Sequence, residues 1–425
     1  MSSTALQTDS NLHQQVFHSL REVAPESWNR LIGDAFPFAE YDYLLALEEG
    51  HCVGIEPGWE PRYLTLWEGE QLQAACYLYR KTNSNGEYIF DWDWANAYQR
   101  YGQRYFPKLT SAVPFTPATG PKLLVAADAS NPRELQQQLL ASALELVQQE
   151  GCSSLHFLFI PAEEREIYEA AGLLLRHSFQ FHWQNQGYGS FEDFLSRLRS
   201  KRRKEILRER RQVQEQGLEV ILLRGEEIEP KLCRVMYDFY LTTIDRKWAM
   251  PYLSYEFFQY IFTHFRDQLV LALARKQGRW VAGTINYHKG PHLFGRYWGC
   301  RQDFRSLHFE LCYYRLIEYA IEQGVQRFEA GAQGAHKIQR GFLPNLTYSA
   351  HWIAHPAFHR AIGEFIEEEK RSIQSNIEDN PELSPYRQES GLAPRSPAQQ
   401  RSFCTKAWPH REHHPPVTWL RYPVT

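Results

Sequence analysis

The sequence predicts an α/β (α+β) fold of two tandem units, each with a mixed central sheet, joined by a basic helix. Three observations predict it. First, the stretch Leu269 to Phe342 runs strand, strand, strand, basic loop, buried helix, strand, Gly-rich turn. Second, the same order of elements recurs, without obvious sequence identity, in the N-terminal half. Third, a segment with nine Lys/Arg against two Glu, Arg197 to Arg211, separates the halves on a chain whose net charge is −3. Strand–helix alternation of this kind points to mixed sheets covered by helices.

In order, residues 1–35 read as a polar lead-in, and 36–189 as the first unit. Strand-like runs fall at Arg62–Trp67, Leu72–Arg80 and, after the hairpin signal Asn83-Ser84-Asn85-Gly86, at Tyr88–Trp92. Tyr105–Val125 is rich in Pro and Gly and reads as a surface crossing. Asn131 as N-cap and Pro132 at the first helical position start a helix that reaches Gln149. A strand (Ser154–Ile160), a helix (Ala162–Ala171) and a strand (Ser178–Gln184) complete the unit.

Residues 190–217 read as one connecting helix. Ser190 with Asp193 makes a capping box, Phe194, Leu198, Ile206 and Val213 give a docking face, and Gly217 closes it. Such charge density suits an anionic partner, so Arg202, Arg203 and Lys204 are candidate acceptor-binding residues. The second unit, 218–376, continues with the strand Leu218–Leu223 and a helix from Pro230 to Ile244. That helix empties into Asp245, Arg246, Lys247 and Trp248, candidates for gripping a charged substrate. After Tyr255–Phe265, three runs bounded by turns form a meander: Leu269–Ala274, Trp280–Asn286 and His292–Gly299. The helix His308–Gln323 is apolar nearly all round, with one polar stripe at Arg315, Glu318 and Glu322, so it should be buried. From 377 to 425 apolar periodicity is lost, and the segment reads as a flexible Pro/His-rich tail. Its cluster His410-Arg411-Glu412-His413-His414 is a weak metal signal.

Composition narrows the class. The chain has 425 residues, 43% hydrophobic and 23% charged, as soluble globular proteins do. No apolar run reaches the ~18–20 residues that span a bilayer. Seven scattered cysteines without a C-x-x-C pair suit reduced thiols, and the N-terminus shows no signal peptide pattern, so the expected location is cytoplasmic. G-x-S-x-G, P-loop and G-x-G-x-x-G motifs are absent, which removes hydrolase, NTPase and dinucleotide readings.

The chemistry concentrates in 297–340. Arg301, Arg305 and Ser306, with Leu307 and His308 opening the helix, place cations where orphan N–H groups and the helix dipole favour an anion such as a pyrophosphate. Glu329 on the last strand, then His336 and Lys337 after the Gly-rich turn, bring polar groups to one sheet edge and are the catalytic candidates. Tyr297 and Trp298 could line an acyl tunnel, and Arg340 is a further substrate candidate. This order with this chemistry resembles an acyl-CoA N-acyltransferase domain of the GNAT superfamily.

The strings SKRRKEILRERR (200–211), TIDRKWAMPYL (243–253), FEAGAQGAHKIQRGFLP (328–344) and TYSAHWI (347–353) resemble a bacterial family of FemAB-like proteins within that superfamily, labelled peptidoglycan biosynthesis/recognition. The resemblance covers roughly residues 12–375. It implies two tandem GNAT-like domains and an N-acyltransferase that moves an acyl group from acyl-CoA (acetyl-CoA) to an amine, on an acceptor such as a peptide or phosphate-bearing cell-wall precursor, without a metal. Fem transferases themselves use aminoacyl-tRNA, so that donor stays open, although the long helical hairpin most of them carry for tRNA is missing. By the same resemblance Lys337 would stabilise negative charge near the reacting carbonyl. One departure stands out: where the family has Glu between Gly334 and His336, this chain has Ala335, so no general base is assigned there. A catalytically silent double-GNAT module that binds a polyanion is the reading this departure favours.

Overall fold

The computed structural model describes residues 12–246, 250–331, 334–378 and 384–387. Among these residues the strands are β1 (Leu12–Phe17), β2 (Trp59–Glu68), β3 (Gln71–Lys81), β4 (Lys108–Ser111), β5 (Leu124–Val125), β6 (Ser154–Ile160), β7 (Leu174–Gln184), β8 (Glu219–Arg224), β9 (Leu269–Lys276), β10 (Arg279–Lys289), β11 (His292–Cys300), β12 (Arg327–Glu329) and β13 (Leu343–Ile353). They form one mixed sheet in the order β1-β2-β3-β4-β6-β13-β7-β12-β11-β10-β9-β8, with β5 paired to β3.

The pairings read the same inward from either edge. On one side β1, β2, β3 and β4 run antiparallel in succession, β4 and β6 pair parallel, and β6 meets β13 antiparallel. On the other, β8, β9, β10 and β11 are antiparallel, β11 and β12 parallel, and β12 meets β7 antiparallel. At the centre β7 and β13 pair antiparallel. The two GNAT-like halves therefore exchange strands. β13, from the C-terminal half, lies between β6 and β7 of the N-terminal half, and β7 lies against β12 of the C-terminal half.

Period-two alternation with small residues at close approaches builds the second half. Ala272, Ala274, Ala282, Ile285, Leu293 and Phe294 are all buried. At Gly299 an added Cβ would sit 1.8 Å from the Phe239 carbonyl oxygen, so only glycine lets the helix Leu232–Arg246 pack on β11. In the first half the helix Pro132–Gln149 buries Ala143 together with Leu135, Leu139, Leu140, Leu146 and Val147, the large side chains each worth ~1.5–3 kcal/mol. One of the cores joins the halves, running from Leu20, Trp28 and Tyr43 to Phe257, Leu271 and Phe294.

Several expectations are corrected. The lead-in supplies edge strand β1. Tyr88–Trp92 is no strand: Tyr88 is left-handed at φ 63°, and a helix runs Trp92–Arg100. The Pro/Gly-rich segment does not cross a surface, because β4 is flanked by β3 and β6, and Ala112, Val113, Phe115, Thr116 and Ala118 are buried. The connecting helix is two helices, Phe191–Arg197 and Ser200–Glu215, broken at Leu198–Arg199. The break has a partner: the Arg199 N–H donates to the Pro385 carbonyl at 2.8 Å and the Arg387 N–H to that of Arg197 at 2.9 Å. Residues 384–387, assigned by sequence to the tail, are thus docked on the helix pair. The expected helix over 308–323 is continuous from Leu307 to Glu322, with a π-helical turn at Glu310–Tyr314. His410–His414 lie outside the described residues.

Candidate active site

β11 and β12 pair over only three residues, His292↔Arg327 to Phe294↔Glu329. Beyond Glu329 the chain turns away at Gly331 (φ 81°), while β11 continues to Cys300. Parallel strands that part in mid-sheet leave unpaired backbone and an opening between them. The helix Leu307–Glu322 shares a core with Leu293 of β11 and Phe328 of β12, and Lys337 of the turn Ala335–Arg340 bonds the Gly331 carbonyl.

Between the end of β11 and the start of that helix lies a cleft of about 200 Å³ lined by Arg246, Trp298, Cys300, Gln302, Asp303, Phe304, Leu307 and His308. Candidates drawn from three separate stretches, Arg246, Trp298 and Leu307 with His308, therefore share one wall. His308 links the cleft to the Gly-rich turn, with its ring 5.1 Å from Trp298 and 6.2 Å from His336, centre to centre. His336 is exposed and shares a 2.9 Å hydrogen bond with the Tyr313 hydroxyl. Burial, then the charges of Arg340 and Lys337, lower the His336 pKa. Burial, with His336, Arg340 and Lys337, lowers that of His308 to about 4. Both imidazoles are thus neutral at pH 7, the state in which a histidine accepts a proton.

Lys337 is 2% exposed, and its ammonium donates to the Gly331 carbonyl at 2.7 Å. Among the described residues no carboxylate pairs with it. Burial first, and the Arg296 charge second, bring its pKa down to about 7. Such an amine can donate a hydrogen bond to a developing oxyanion when charged, or take up a proton when neutral.

The loop before the helix is held by the C-terminal end of the basic helix. Gln216 accepts from the Arg305 N–H at 3.0 Å and donates to the Arg305 carbonyl at 2.9 Å, and the Ser306 hydroxyl bonds Gln212 at 3.0 Å. Ser306 is left-handed (φ 62°), and its side chain does not cap the first turn, so that turn keeps open N–H groups. Arg301 pairs with Asp238 at 3.3 Å, and Arg246 with Asp303 at 2.9 Å. Among the described residues no ion pair or side-chain hydrogen bond engages the Arg305 guanidinium, while the two glutamine amides hold its backbone and the Ser306 hydroxyl.

Other candidates are placed elsewhere. Glu329 is 1% exposed, 3.2 Å from Arg327 and 3.9 Å from Arg296, and makes no hydrogen bond or ion pair with His336 or Lys337. Arg340, expected on substrate, is fully engaged. It donates to Glu209 at 2.7 Å, to the Tyr314 hydroxyl at 2.9 Å and to the His336 carbonyl at 2.8 Å, over the Phe309 ring. It ties the Gly-rich turn to the basic helix. Tyr297 lies inside, near Tyr240 and Phe258, away from the cleft that Trp298 lines. Arg202 pairs with Glu205 at 3.0 Å, whereas Arg203 and Lys204 have no ion pair among the described residues. Asp245 is exposed; Lys247 and Trp248 lie outside the described residues. Sequence reasoning missed Tyr313, Arg296 and His182. Arg296 had a readable signal, a cation inside the otherwise apolar run HLFGRYWG.

The fold has known counterparts. The crystal structure of FemX aligns over 82% of this chain and 100% of its own, at 12% identity and a TM-score of 0.50. The C-terminal domain of a putative lysylphosphatidylglycerol synthetase from Agrobacterium fabrum aligns over 81% of this chain and 95% of its own, at 11% identity and a TM-score of 0.50. No curated protein is matched by sequence. The profile of one family matches residues 19–388, nearly the whole described chain. With strand-exchanged GNAT-like halves and a polar site where β11 and β12 part, the chain belongs to the FemAB-like family of peptidoglycan biosynthesis/recognition proteins.

Proposed function

We propose that this protein is an N-acyltransferase of cell-wall peptide assembly, taking its acyl group from acyl-CoA and passing it to an amine. One observation carries the reading: the 200 Å³ cleft is lined by neutral His308, which stands beside His336 and feels the charge of Lys337. The cleft is smaller than the ~300–1,000 Å³ that encloses a whole drug-sized ligand. It would take the acyl end of the donor, while phosphates stay outside against Arg305 and the open helix N-terminus. His336, neutral and exposed, would take the proton that the amine sheds as its nitrogen bonds the acyl carbon, and would return it to the thiolate released when the C–S bond breaks. Lys337 would steady the tetrahedral oxyanion, and the amide product would leave with the free thiol. Calorimetric titration with acetyl-CoA tests the donor. Saturable binding that Arg305→Ala weakens supports the reading, and absence of binding by the intact protein refutes it.

A second reading, aminoacyl-tRNA as donor, is favoured by one feature. Lys201, Lys204, Arg208 and Arg211 share the face of the Ser200–Glu215 helix opposite buried Ile206, Glu209 and Val213, and no ion pair neutralises them among the described residues. This stripe runs toward Arg305, so it could track a phosphate backbone. The same titration with aminoacyl-tRNA separates the two donors.

A further inference from the structure

Behind the Gly-rich turn, where the two halves meet, lies a buried polar row that the transfer chemistry above does not use. Phe294, Glu329 and His182 are register partners across β11, β12 and β7. Arg296 follows two residues after Phe294, and it is the extra residue of a β-bulge. Tyr297 pairs with Ile285 and Gly295 with Asn286, leaving Arg296 without a partner on β10. A bulge re-aims the side chain it carries. Here the guanidinium turns inward, over the rings of Phe38 and Phe294 at 5.2 and 5.4 Å, with its side chain 2% exposed.

That guanidinium is poorly satisfied. One nitrogen donates to the Gly295 carbonyl at 2.8 Å; among the described residues Nε and Nη2 find no hydrogen-bond partner, and a carboxylate oxygen of Glu329 is 3.9 Å away. A buried cation in that state is costly unless something else completes it. The neighbouring imidazole lacks the opposite kind of partner. Gln180 donates from its amide nitrogen to the Pro117 carbonyl at 3.1 Å, which turns its oxygen toward His182 Nε2 at 3.2 Å. His182 Nε2 must therefore carry the proton. Burial, followed by the charges of Arg327, Lys337 and Arg296, keeps the ring neutral. Its Nδ1 is then a bare acceptor, and it too has no partner.

Donors seeking an anion at Arg296 thus stand beside acceptors seeking an N–H: His182 Nδ1, and the Glu329 oxygen Oε1, which pairs with Arg327 at 3.2 Å but accepts no hydrogen bond among the described residues. A carboxylate with an N–H on the adjacent carbon supplies both. We propose that this buried junction binds an α-amino carboxylate, the grouping shared by a free amino acid and the C-terminal residue of a peptide. Arg296 takes the carboxylate, and His182, contributed by the N-terminal half, takes the N–H. An aminoacyl ester or acyl thioester has no such free carboxylate, so the occupant belongs to the acceptor side. In this the inference rests on the transferase reading above.

The test measures binding alone, without donor or turnover, so it can fail or succeed independently of acyl transfer. The probes are N-acetylglycine, which mimics a peptide end, glycine, and N-acetylglycinamide, which lacks the carboxylate. N-acetylglycine or glycine should bind at least ~tenfold more tightly than the amide, and which of the two binds better identifies the source. Arg296→Gln should erase that preference, and Arg296→Lys should retain part of it. Arg296→Met removes a poorly hydrogen-bonded buried charge and leaves Glu329 its closer cation, Arg327 at 3.2 Å, so it should keep the unfolding midpoint while abolishing stabilisation by the acid probe. Equal affinity for acid and amide, or no binding of any probe, overturns the proposal. So does a fall in the Arg296→Met midpoint with the preference intact in Arg296→Gln.

Discussion

Arg340 is the residue whose removal separates structure from recognition most sharply. It was a substrate candidate in the sequence, yet its side chain is 5% exposed and bound to Glu209, whose own side chain is 8% exposed. Tyr314 completes the triangle, donating to Glu209 and accepting from Arg340. Arg340→Ala would leave the Glu209 carboxylate buried without its cation, and breaking one side of a buried pair costs ~3–5 kcal/mol. The lost stacking over Phe309 adds to this. Against a total stability of ~5–15 kcal/mol, the loss should be plain in a urea unfolding curve. Glu209→Ala with Arg340→Ala should cost clearly less than the two single changes added together, since the second removes the charge that the first strands. Arg340→Lys should fall between, because an ammonium cannot match the three-acceptor geometry of the guanidinium. A loss below ~1 kcal/mol for Arg340→Ala, accompanied by weakened substrate binding at unchanged stability, would refute the structural role and return Arg340 to the substrate.

Three further outcomes are expected. Lys337 has a folded pKa near 7, below the ~10.4 of an unfolded lysine, so between those values the unfolded chain binds the extra proton and stability rises with pH; Lys337→Met should remove up to ~1.4 kcal/mol per pH unit from that slope, and an unchanged slope would contradict the shift. Arg305→Ala should weaken acetyl-CoA binding by ~1.5–3 kcal/mol with the fold intact, as for other charge-assisted hydrogen bonds, and an unaltered dissociation constant would send the phosphates elsewhere. Charge reversal at Lys204, Arg208 and Arg211 should leave the unfolding free energy within ~0.5 kcal/mol of its starting value and reduce binding of a phosphate-bearing ligand most at low salt, whereas a large loss of stability would show that the stripe serves the fold.

Much of the architecture was legible because it is local. The meander over 269–300 announces itself through apolar runs closed by Gly-containing turns, and the helix Pro132–Gln149 through its Pro start and its apolar period. What the sequence hid depends on distant partners. Leu198 fits the helical period of the basic segment, yet residues 384–387 compete for its backbone and break the helix there. Tyr88–Trp92 looks like a strand until Tyr88 turns left-handed and Asp91 joins Lys108 in a buried ion pair. Pro114 and Pro117 suggest an exposed loop, but the Pro117 carbonyl serves Gln180 inside the junction of the halves. At the site, His336 and Lys337 were marked by their turn. The demands of Arg296 and His182 appear only once a bulge and a glutamine fix which atoms face inward.

The exchange of β7 and β13 has a temporal consequence for a chain made from its N-terminus. When β6 and β7 have been synthesised, the strand that belongs between them is still more than 150 residues away. Until Leu343–Ile353 arrives, β6 and β7 each keep a bare edge on the side that β13 will fill, a row of unpaired N–H and C=O groups able to recruit a neighbouring chain. The N-terminal half cannot close on its own. A ribosome stalled before residue 343, or a protease cut between the halves, would release a sticky fragment rather than a small working domain.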